Sequence, residues 1–564
     1  MKSICVAACL ISACLSAVAQ QPTAASPTPS KNVSCKADKE PLSPAQIEFE
    51  QNEYKSAADH FVTELAAHPE KNSLRAWQIR NLLAQGNVIE AATKSNAWVA
   101  EKPDSGLALT TKAEVLMRQG QLPESYATAS QAQKLDPCNG RAYYVLSEYE
   151  QMIALYATEK KHVDLAHTLN PNDDEIMASW IFLKPKAQAL EEYRKFVESS
   201  PAFTDKQRTA AKTRLTKYGD KPHEPECKLT SATKEATIPF SAIRFSPNSP
   251  PAYGLEMSFN GKKRRLELDT GASGLTLTAG AAERLGLRVE DTAFLSGIGD
   301  EGSHKSKVTH VASLKIGDLE FSNCAVYILP PRDMENASYG FPVAMEEIDG
   351  LIGGDVFQKF LLTLDYPAGE LKVSQLPARQ GEQSADMSLN TSGGVGSHSG
   401  DGVDEPLRDR YKSPEMADWT QFYRIYHYLL IPTQLNDGPI KLMMTDTGAQ
   451  ESIIDPDAAR TVTKVSTTGR VSLVGISGQT QKNYLTDKIV LHFGKLYLPL
   501  NGMISIPTEN LSEGAGVDIS GFLGFPALRQ MTLQIDYRDG LIHFAYDPKR
   551  PVNSKFQSDA FSQQ

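Results

Sequence analysis

The chain has 564 residues, of which 41% are hydrophobic and 22% are charged. This composition excludes a wholly disordered chain, and the length suggests about three or four domains of roughly 100–200 residues each. Lysine and arginine number 58 against 68 aspartates and glutamates, which gives a net charge of -10. Such a balance gives no general affinity for nucleic acid, so we expect no nucleic-acid partner.

The only long apolar stretch lies at the start of the chain. Lys2 precedes an apolar run from Ile4 to Ile11, and Ala17-Val18-Ala19 has the small-x-small pattern of a cleavage site. We therefore expect a signal peptide at residues 1–19 and an exported protein, periplasmic or extracellular. An uncleaved anchor is disfavoured, because the run is shorter than the ~20 residues that span a bilayer. A further alternative is a membrane-tethered lipoprotein, since the segment ending at Cys14 resembles a bacterial lipobox.

Four cysteines follow this segment, at positions 35, 138, 227 and 324. None has the C-x-x-C spacing that favours zinc or redox chemistry, so we expect neither a metal nor a cofactor. An oxidising compartment would allow one or two disulfides, but the spacing does not determine their pairing. Isolated buried thiols remain the alternative.

Residues 20–41 are rich in Pro, Ser, Thr and Lys, which predicts a flexible linker. The region at 42–218 then repeats with a period of 34 residues, which separates Pro69, Pro103, Pro137 and Pro171 in turn. Each proline follows a stretch of good helix formers, which it would end because it lacks a backbone N–H. The period resembles that of tetratricopeptide repeats, which implies an all-α array of helix-turn-helix pairs.

Glycines share the same period, since Gly86 and Gly120 are 34 residues apart and Ala154 stands at the next position. An array of this kind usually presents a concave groove, so we expect the repeats to bind a substrate or a partner protein. The alternative is a spacer that only packs against the next domain.

From about residue 236, short alternations of apolar and polar residues bounded by glycine predict strands and turns. Three motifs of this region occur twice in the same order. The second copy follows the first by 177 residues for one motif and by 171 for the other two, which indicates a duplicated β unit. The paired segments are Leu268–Ser273 with Thr445–Gln450, Gly350–Gly354 with Gly521–Phe525, and Leu364–Gly369 with Ile535–Gly540.

The duplicated Asp-Thr-Gly motif resembles that of aspartic proteases. Ala272 and Ala449 follow the motif, which is closer to the retropepsin-like branch than to pepsin itself. The resemblance implies a bilobal all-β fold behind the all-α solenoid, in a multidomain chain of α plus β class. The implied organisation is a signal peptide at 1–19, a linker at 20–41, helical repeats at 42–218, a first lobe at 236–375, a Gly/Ser-rich linker at 376–416, a second lobe at 417–548 and a polar tail at 549–564.

The resemblance also implies which residues form the site. Asp269 and Asp446 would be the catalytic pair, each supported by a hydrophobic-hydrophobic-Gly segment ending at Gly353 or Gly524. Glycine-rich hairpins that follow each motif would form flaps over the substrate, although plain surface hairpins are the alternative. The supporting residues would be Thr270, Gly271, Thr447 and Gly448, and the flap residues would be Gly297, Ile298, Gly299, Gly475, Ile476 and Gly478.

The implied activity is that of an aspartic endopeptidase acting on a peptide or protein. Two adjacent carboxyls share a proton, so one activates water while the other donates to the developing oxyanion, and no metal is needed. Because alanine follows each motif, we expect a weakly acidic to neutral optimum. We expect a monomer whose lobes pair as a pseudo-dimer, with a homodimer as the alternative. A non-catalytic, exported peptide-binding scaffold is the alternative function.

Overall fold

The computed structural model contains a helical region followed by a β-rich region. Among the residues it describes, none of the helices has both the length and the apolar character needed to cross a membrane. The described residues are 34–38, 40–218, 227–243, 252–295, 304–329, 348–379, 387–391, 407–449, 451–467, 474–475, 478–479 and 483–556.

Consecutive α-helices joined by short turns make up the first region. From α4 to α9, each helix begins 34 residues after the second helix before it, so the helix boundaries keep the period of the sequence. That the repeats are of tetratricopeptide type stays a prediction. The helices are α1 (Pro44–Glu50), α2 (Tyr54–Ala67), α3 (Asn72–Ala84), α4 (Val88–Glu101), α5 (Gly106–Arg118), α6 (Leu122–Leu135), α7 (Gly140–Met152), α8 (Tyr156–Leu169), α9 (Asp174–Phe182), α10 (Lys186–Ser199) and α11 (Asp205–Tyr218).

Turn chemistry explains why the helices end where they do. Gly86, Gly120 and Ala154 follow α3, α5 and α7 with φ angles of 76°, 72° and 60°. This left-handed conformation ends a helix and is easiest for glycine, so Ala154 adopts it at a steric cost. At the other end, the side chains of Ser105 and Asn139 accept backbone N–H groups of α5 and α7.

Strands dominate the rest of the chain, which we divide into a first β unit (residues 227–391) and a second β unit (residues 407–556). The first contains β1 (Lys228–Leu229), β2 (Ala236–Pro239), β3 (Ser241–Ile243), β4 (Ala252–Phe259), β5 (Lys262–Asp269), β6 (Leu275–Thr278), α12 (Ala279–Leu285), β7 (Asp291–Leu295), β8 (His304–Ile316), β9 (Leu319–Leu329), β10 (Gly350–Gly353), β11 (Leu361–Asp365) and β12 (Glu370–Ser374). The second contains β13 (Thr420–Gln421), β14 (Tyr423–Ile425), β15 (Tyr428–Leu435), β16 (Ile440–Asp446), β17 (Ile453–Ile454), α13 (Pro456–Arg460), β18 (Val465–Thr467), β19 (Val474–Gly475), β20 (Gly478–Gln479), β21 (Tyr484–Thr486), β22 (Ile489–Phe493), β23 (Leu496–Leu500), β24 (Ile504–Ser505), α14 (Glu509–Ala515), β25 (Gly521–Gly524), α15 (Phe525–Leu528), β26 (Met531–Asp536) and β27 (Leu541–Tyr546).

The same strand arrangement occurs in both β units. In the first, β10 lies between β5, to which it is parallel, and β6, to which it is antiparallel. In the second, β25 lies in the same way between β16 and β17. A separate sheet joins the units, because β11 pairs with β26 and both are flanked by strands of their own unit. The hydrophobic core is continuous across this shared sheet.

The helical region packs against the second β unit along the edge formed by the turns at Gly86, Gly120 and Ala154, which we call the docking edge. A Cβ atom at Gly86 would lie 2.8 Å from Glu513 Oε1, and one at Gly120 would lie 3.1 Å from the Asp518 carbonyl. The Arg410 N–H donates to the Ala154 carbonyl at 2.7 Å. Helical and β residues belong to one compact unit.

An apolar cluster lies beneath the docking edge. Leu122 at the start of α6 and two residues of the turn after α7, Ile153 and Leu155, meet side chains of the second β unit that include Met444 and Phe522. These contacts cover one face of β16, the face that also carries Asp446 at the end of the strand.

Three segments that the sequence predicts to be linkers or a polar tail make specific contacts in the parts that the structure describes. In the linker at 20–41, Cys35 is bonded to Cys138 and the Asp38 N–H donates to the Leu169 carbonyl at 2.7 Å. In the linker at 376–416, Leu389 is fully buried in the first β unit. In the tail at 549–564, the Phe556 ring stacks on Tyr253 with centroids 4.0 Å apart. These contacts come from single residues in a polar context, and the average composition of a segment does not reveal them.

The second disulfide joins Cys227 to Cys324 and fixes the start of the first β unit to β9. The four cysteines therefore pair within regions, one bond in the helical region and one in the first β unit.

Candidate active site

Asp269 and Asp446 lie at matching positions, each at the end of a strand that runs parallel to a hydrophobic-hydrophobic-Gly segment. Gly353 of β10 pairs with Asp269 of β5, and Gly524 of β25 pairs with Asp446 of β16. Because the paired residues of β10 and β25 are glycines, no side chain of these strands lies beside either aspartate. A Cβ at Gly353 would come within 2.5 Å of the Ala272 carbonyl, so the backbone of the first loop approaches closely.

Each carboxylate is held by the backbone of its own loop. The Gly271 N–H donates to Asp269 Oδ1 at 2.7 Å. Asp446 Oδ1 accepts two such bonds, from Gly448 at 3.0 Å and from Ala449 at 2.9 Å. These backbone bonds orient the two carboxyl groups.

The glycines of the two loops bring the carboxyls together. A Cβ at Gly271 would lie 2.7 Å from the Cγ atom of Asp446, and a Cβ at Gly448 would lie 2.5 Å from that of Asp269. Real Cβ atoms do not make such contacts, so each glycine gives room to the aspartate of the other β unit.

Two threonines bond across the same junction. Thr270 Oγ1 donates to the Thr445 carbonyl at 2.8 Å and accepts the Thr447 N–H at 3.1 Å. Thr447 Oγ1 donates to the Leu268 carbonyl at 2.9 Å and accepts the Thr270 N–H at 2.9 Å. The reciprocal bonds are buried and fix the loops relative to each other.

Burial raises the pKa of both carboxyls. Burial raises the pKa of Asp446 well above its ordinary value, and the negative charge of Asp269 and a hydrogen bond between the two carboxyls raise that pKa further. Burial also raises the pKa of Asp269, but the bonds from Gly271 and from Asp446 act in the opposite direction. The two carboxyls therefore share a proton, so that one of them is ionised while the other is neutral.

Asp355 holds the loop that follows Asp269 through two hydrogen bonds. Its Oδ1 accepts the Gly274 N–H at 3.0 Å and its Oδ2 accepts the Ser273 hydroxyl at 2.7 Å. In the second β unit, the Ser452 hydroxyl accepts the Gly524 N–H at 3.0 Å and links loop to strand by a different bond.

His427 is a neighbour of the first loop that the motifs do not reveal. Its Nε2 lies 3.1 Å from the Gly271 carbonyl, although the residue belongs to the turn between β14 and β15 of the other β unit. Burial lowers the pKa of His427, which favours the neutral ring. No local signal marks this histidine, because the sheet geometry alone brings it to the loop.

The two predicted flaps are described only in small part. Gly297, Ile298, Gly299 and Ile476 lie outside the described residues. Gly475 and Gly478 pair with each other in the hairpin of β19 and β20, so the second glycine-rich segment is a hairpin there. Its role over a substrate stays a prediction. Within the described parts of the chain, no group of three or more His, Cys, Asp or Glu side chains could hold a metal ion.

A match to one family of known proteins supports a protease-type function. Residues 255–356 match the model of a family described as aspartyl protease, and this segment contains Asp269 but ends before Asp446. Among solved structures, the aspartic proteinase from Irpex lacteus is similar at 11% identity, over 57% of this chain and 100% of that chain, with a TM-score of 0.33. No curated protein matches the chain.

Proposed function

We propose that this protein is an aspartic endopeptidase in which the two β units act as the lobes of one active site and Asp269 and Asp446 activate water. One observation supports the proposal most directly: each Asp-Thr-Gly glycine lies against the aspartate of the other β unit. A single-chain pair of this kind needs no second copy of the protein, which favours a monomer.

In the proposed mechanism, ionised Asp269 is the base. It accepts a proton from a water molecule as that water attacks the scissile carbonyl, while protonated Asp446 donates to the carbonyl oxygen. The bonds from Gly271, Gly448 and Ala449 keep both carboxyls in the orientation that this transfer needs. The peptide bond is then broken by collapse of the tetrahedral intermediate, with the proton from water passing to the leaving amine.

The raised pKa values support a weakly acidic to neutral optimum. Activity requires Asp269 charged and Asp446 protonated, so it falls when the pH drops below the pKa of Asp269 and again when it exceeds that of Asp446. Because burial raises both pKa values, both limits move upwards. Greatest activity at about pH 2, as expected for a more acidic pair, would contradict this.

We also propose that the helical region recruits substrate or a partner protein. Its helices surround a cavity of about 450 Å³ whose lining includes Trp77, Arg80, Arg141 and the segment around Leu42. The Arg80 guanidinium lies 3.9 Å from the Trp77 ring, and Arg141 pairs with Asp173 at 3.1 Å. A cavity lined by both polar and apolar groups, with an aromatic ring in its wall, suits an extended peptide better than a purely apolar ligand.

Export is part of the proposal, with residues 1–19 as the signal peptide. Two disulfides support it, because such bonds persist in oxidising compartments. Membrane attachment would follow only from lipidation at Cys14.

The test is cleavage of a mixed peptide library by residues 20–564 between pH 3 and pH 8. We expect Asp269→Asn and Asp446→Asn each to lower cleavage at least about 100-fold, because either change removes one half of the acid–base pair. The matched control is Asp365→Asn, since the Asp365 side chain accepts the Ala368 N–H and pairs with Arg550. Loss of activity in only one of these two variants would contradict a catalytic pair formed by Asp269 and Asp446. No cleavage by the folded wild type would instead favour a non-catalytic binding scaffold.

A further inference from the structure

A second carboxyl lies on the same strand face as Asp269. Glu267 precedes it by two residues in β5, and side chains two residues apart on a strand share a face, about 7 Å from each other. Leu266 and Leu268 point the other way, into the core. The Glu267 side chain therefore lies on the same face of the sheet as the Asp269 side chain.

Glu267 is buried, and the described residues supply no cation or hydrogen-bond donor to its carboxyl. Glu267 is only 1% exposed. Its Oε1 atom accepts no hydrogen bond from the described residues. The charged groups that act on it are Asp269 and Asp446, and both act to raise its pKa. Burial is the largest cause of the raised pKa, so the free protein holds Glu267 as a neutral acid.

A second unpartnered polar group lies in the same row across the sheet. Ser241 of β3, Gly254 of β4, Glu267 of β5 and Leu351 of β10 are in register, so they share one face. The Ser241 hydroxyl is also buried without a partner among the described residues. A Cβ at Gly254 would lie 2.8 Å from this hydroxyl and 2.7 Å from Ile243 Cδ1, so both groups lie over the glycine, on the face of the sheet that carries Glu267.

The fold itself does not require a carboxyl at this position. In the second β unit, the residue two before Asp446 is Met444, which packs in the apolar cluster beneath the docking edge. Two unsatisfied polar groups in one row cost stability in a ligand-free protein, which points to a partner that arrives with a ligand.

We infer that Glu267 and Ser241 form a subsite for a basic side chain, lysine or arginine, of the substrate residue next to the cleaved bond. The inference rests on the proposed function. An ammonium or guanidinium group would donate to Glu267 and to the Ser241 hydroxyl, and the aliphatic stem would lie along Leu351. On binding, Glu267 loses its proton to solvent and becomes the counter-charge of the cation.

The experiment compares internally quenched peptides built on a sequence that the wild type cleaves. Lysine, norleucine or glutamate is placed in turn on either side of the cleaved bond, and kcat/KM is measured for wild type, Glu267→Gln and Glu267→Met. We expect the wild type to prefer lysine over norleucine at least about 10-fold at one of these positions. Both variants should reduce that ratio to below about 3 while still cleaving the norleucine peptide.

Controls separate the subsite from general damage. Glu256→Gln changes an exposed glutamate of β4 that pairs with Lys263 and should leave the lysine preference intact. Binding of the lysine peptide to inactive Asp446→Asn should release protons, measured by calorimetry in two buffers of different ionisation enthalpy, and Glu267→Gln should abolish this release. Equal kcat/KM for lysine and norleucine, or a preference that survives Glu267→Met, would overturn the subsite alone. If the folded wild type cleaves no peptide of the mixed library, so that no parent sequence exists, the proposed function fails and the subsite fails with it.

Discussion

Thr270 connects the two β units through one hydroxyl group that both donates and accepts. Thr270→Val keeps the shape of the side chain but leaves the Thr445 carbonyl and the Thr447 N–H without their partner. We expect a loss of about 1–3 kcal/mol in the free energy of unfolding and a fall of at least about 10-fold in kcat. Thr270→Ser keeps the hydroxyl and is the control. Urea unfolding and peptide cleavage measure both effects, and equal behaviour of the two variants would contradict the bonding role.

Asp446 links stability to pH through its raised pKa. A carboxyl whose pKa is higher in the folded than in the unfolded chain stabilises the fold at low pH, and this contribution is lost as the pH rises through the folded value. Asp446→Asn removes the titrating group while keeping its size. We therefore expect the melting temperature of the variant to exceed that of wild type increasingly from pH 4 towards pH 8. A constant difference over this range would show that Asp446 does not titrate as inferred.

The sequence alone predicts that Asp269 and Asp446 form a pair, but it does not predict which residues surround them. Asp269 and Asp446 could be predicted because the same motif occurs twice, with its support at a near-constant offset. His427 could not, since its contact with Gly271 depends on how two distant turns meet. For Glu267 the sequence gives only a weak signal, a charged residue between two leucines of a strand. Its significance depends on its burial and on the absence of a hydrogen-bond partner among the described residues.

At the scale of elements, Gly120 tests the docking edge. Its positive φ strains any other residue, and a Cβ there would also press on the Asp518 carbonyl. Gly286 has a similar φ of 74°, but a Cβ added to it would meet no atom within 4 Å, so this glycine isolates the backbone strain. We expect Gly286→Ala to cost about 1–2 kcal/mol and Gly120→Ala about 1 kcal/mol more, as measured by urea midpoints. Equal costs would show that the turn is not packed against the β unit.

Periodicity predicts elements better than it predicts their contacts. The 34-residue interval of the prolines reappears in the helix boundaries from α4 to α9. The sequence also marks the turns, through Gly86 and Gly120. The sequence does not predict that these turns form a docking edge. A helical array has several faces that could pack against another domain. The apolar residues beneath the edge are also compatible with a place in the core of the array itself.

On the scale of the whole molecule, the helical region covers part of the second β unit. Residues 227–564 alone would expose the cluster that includes Leu442, Met444 and Phe522. We expect this fragment to aggregate and to bind a hydrophobic dye, whereas residues 20–564 remain soluble and monomeric. Gel filtration and dye fluorescence make the comparison. A soluble, monomeric fragment would show that the helical region is dispensable for the fold of the β units.

The two disulfides divide the molecule in a way that bears on how it could be processed. One bond lies within the helical region and the other within the first β unit, so neither ties the helices to the strands. A cut between α11 and β1 would yield two polypeptides with no covalent link. The docking edge and its apolar cluster would nevertheless hold them together, so a nicked enzyme would purify as one particle and separate only under denaturing conditions.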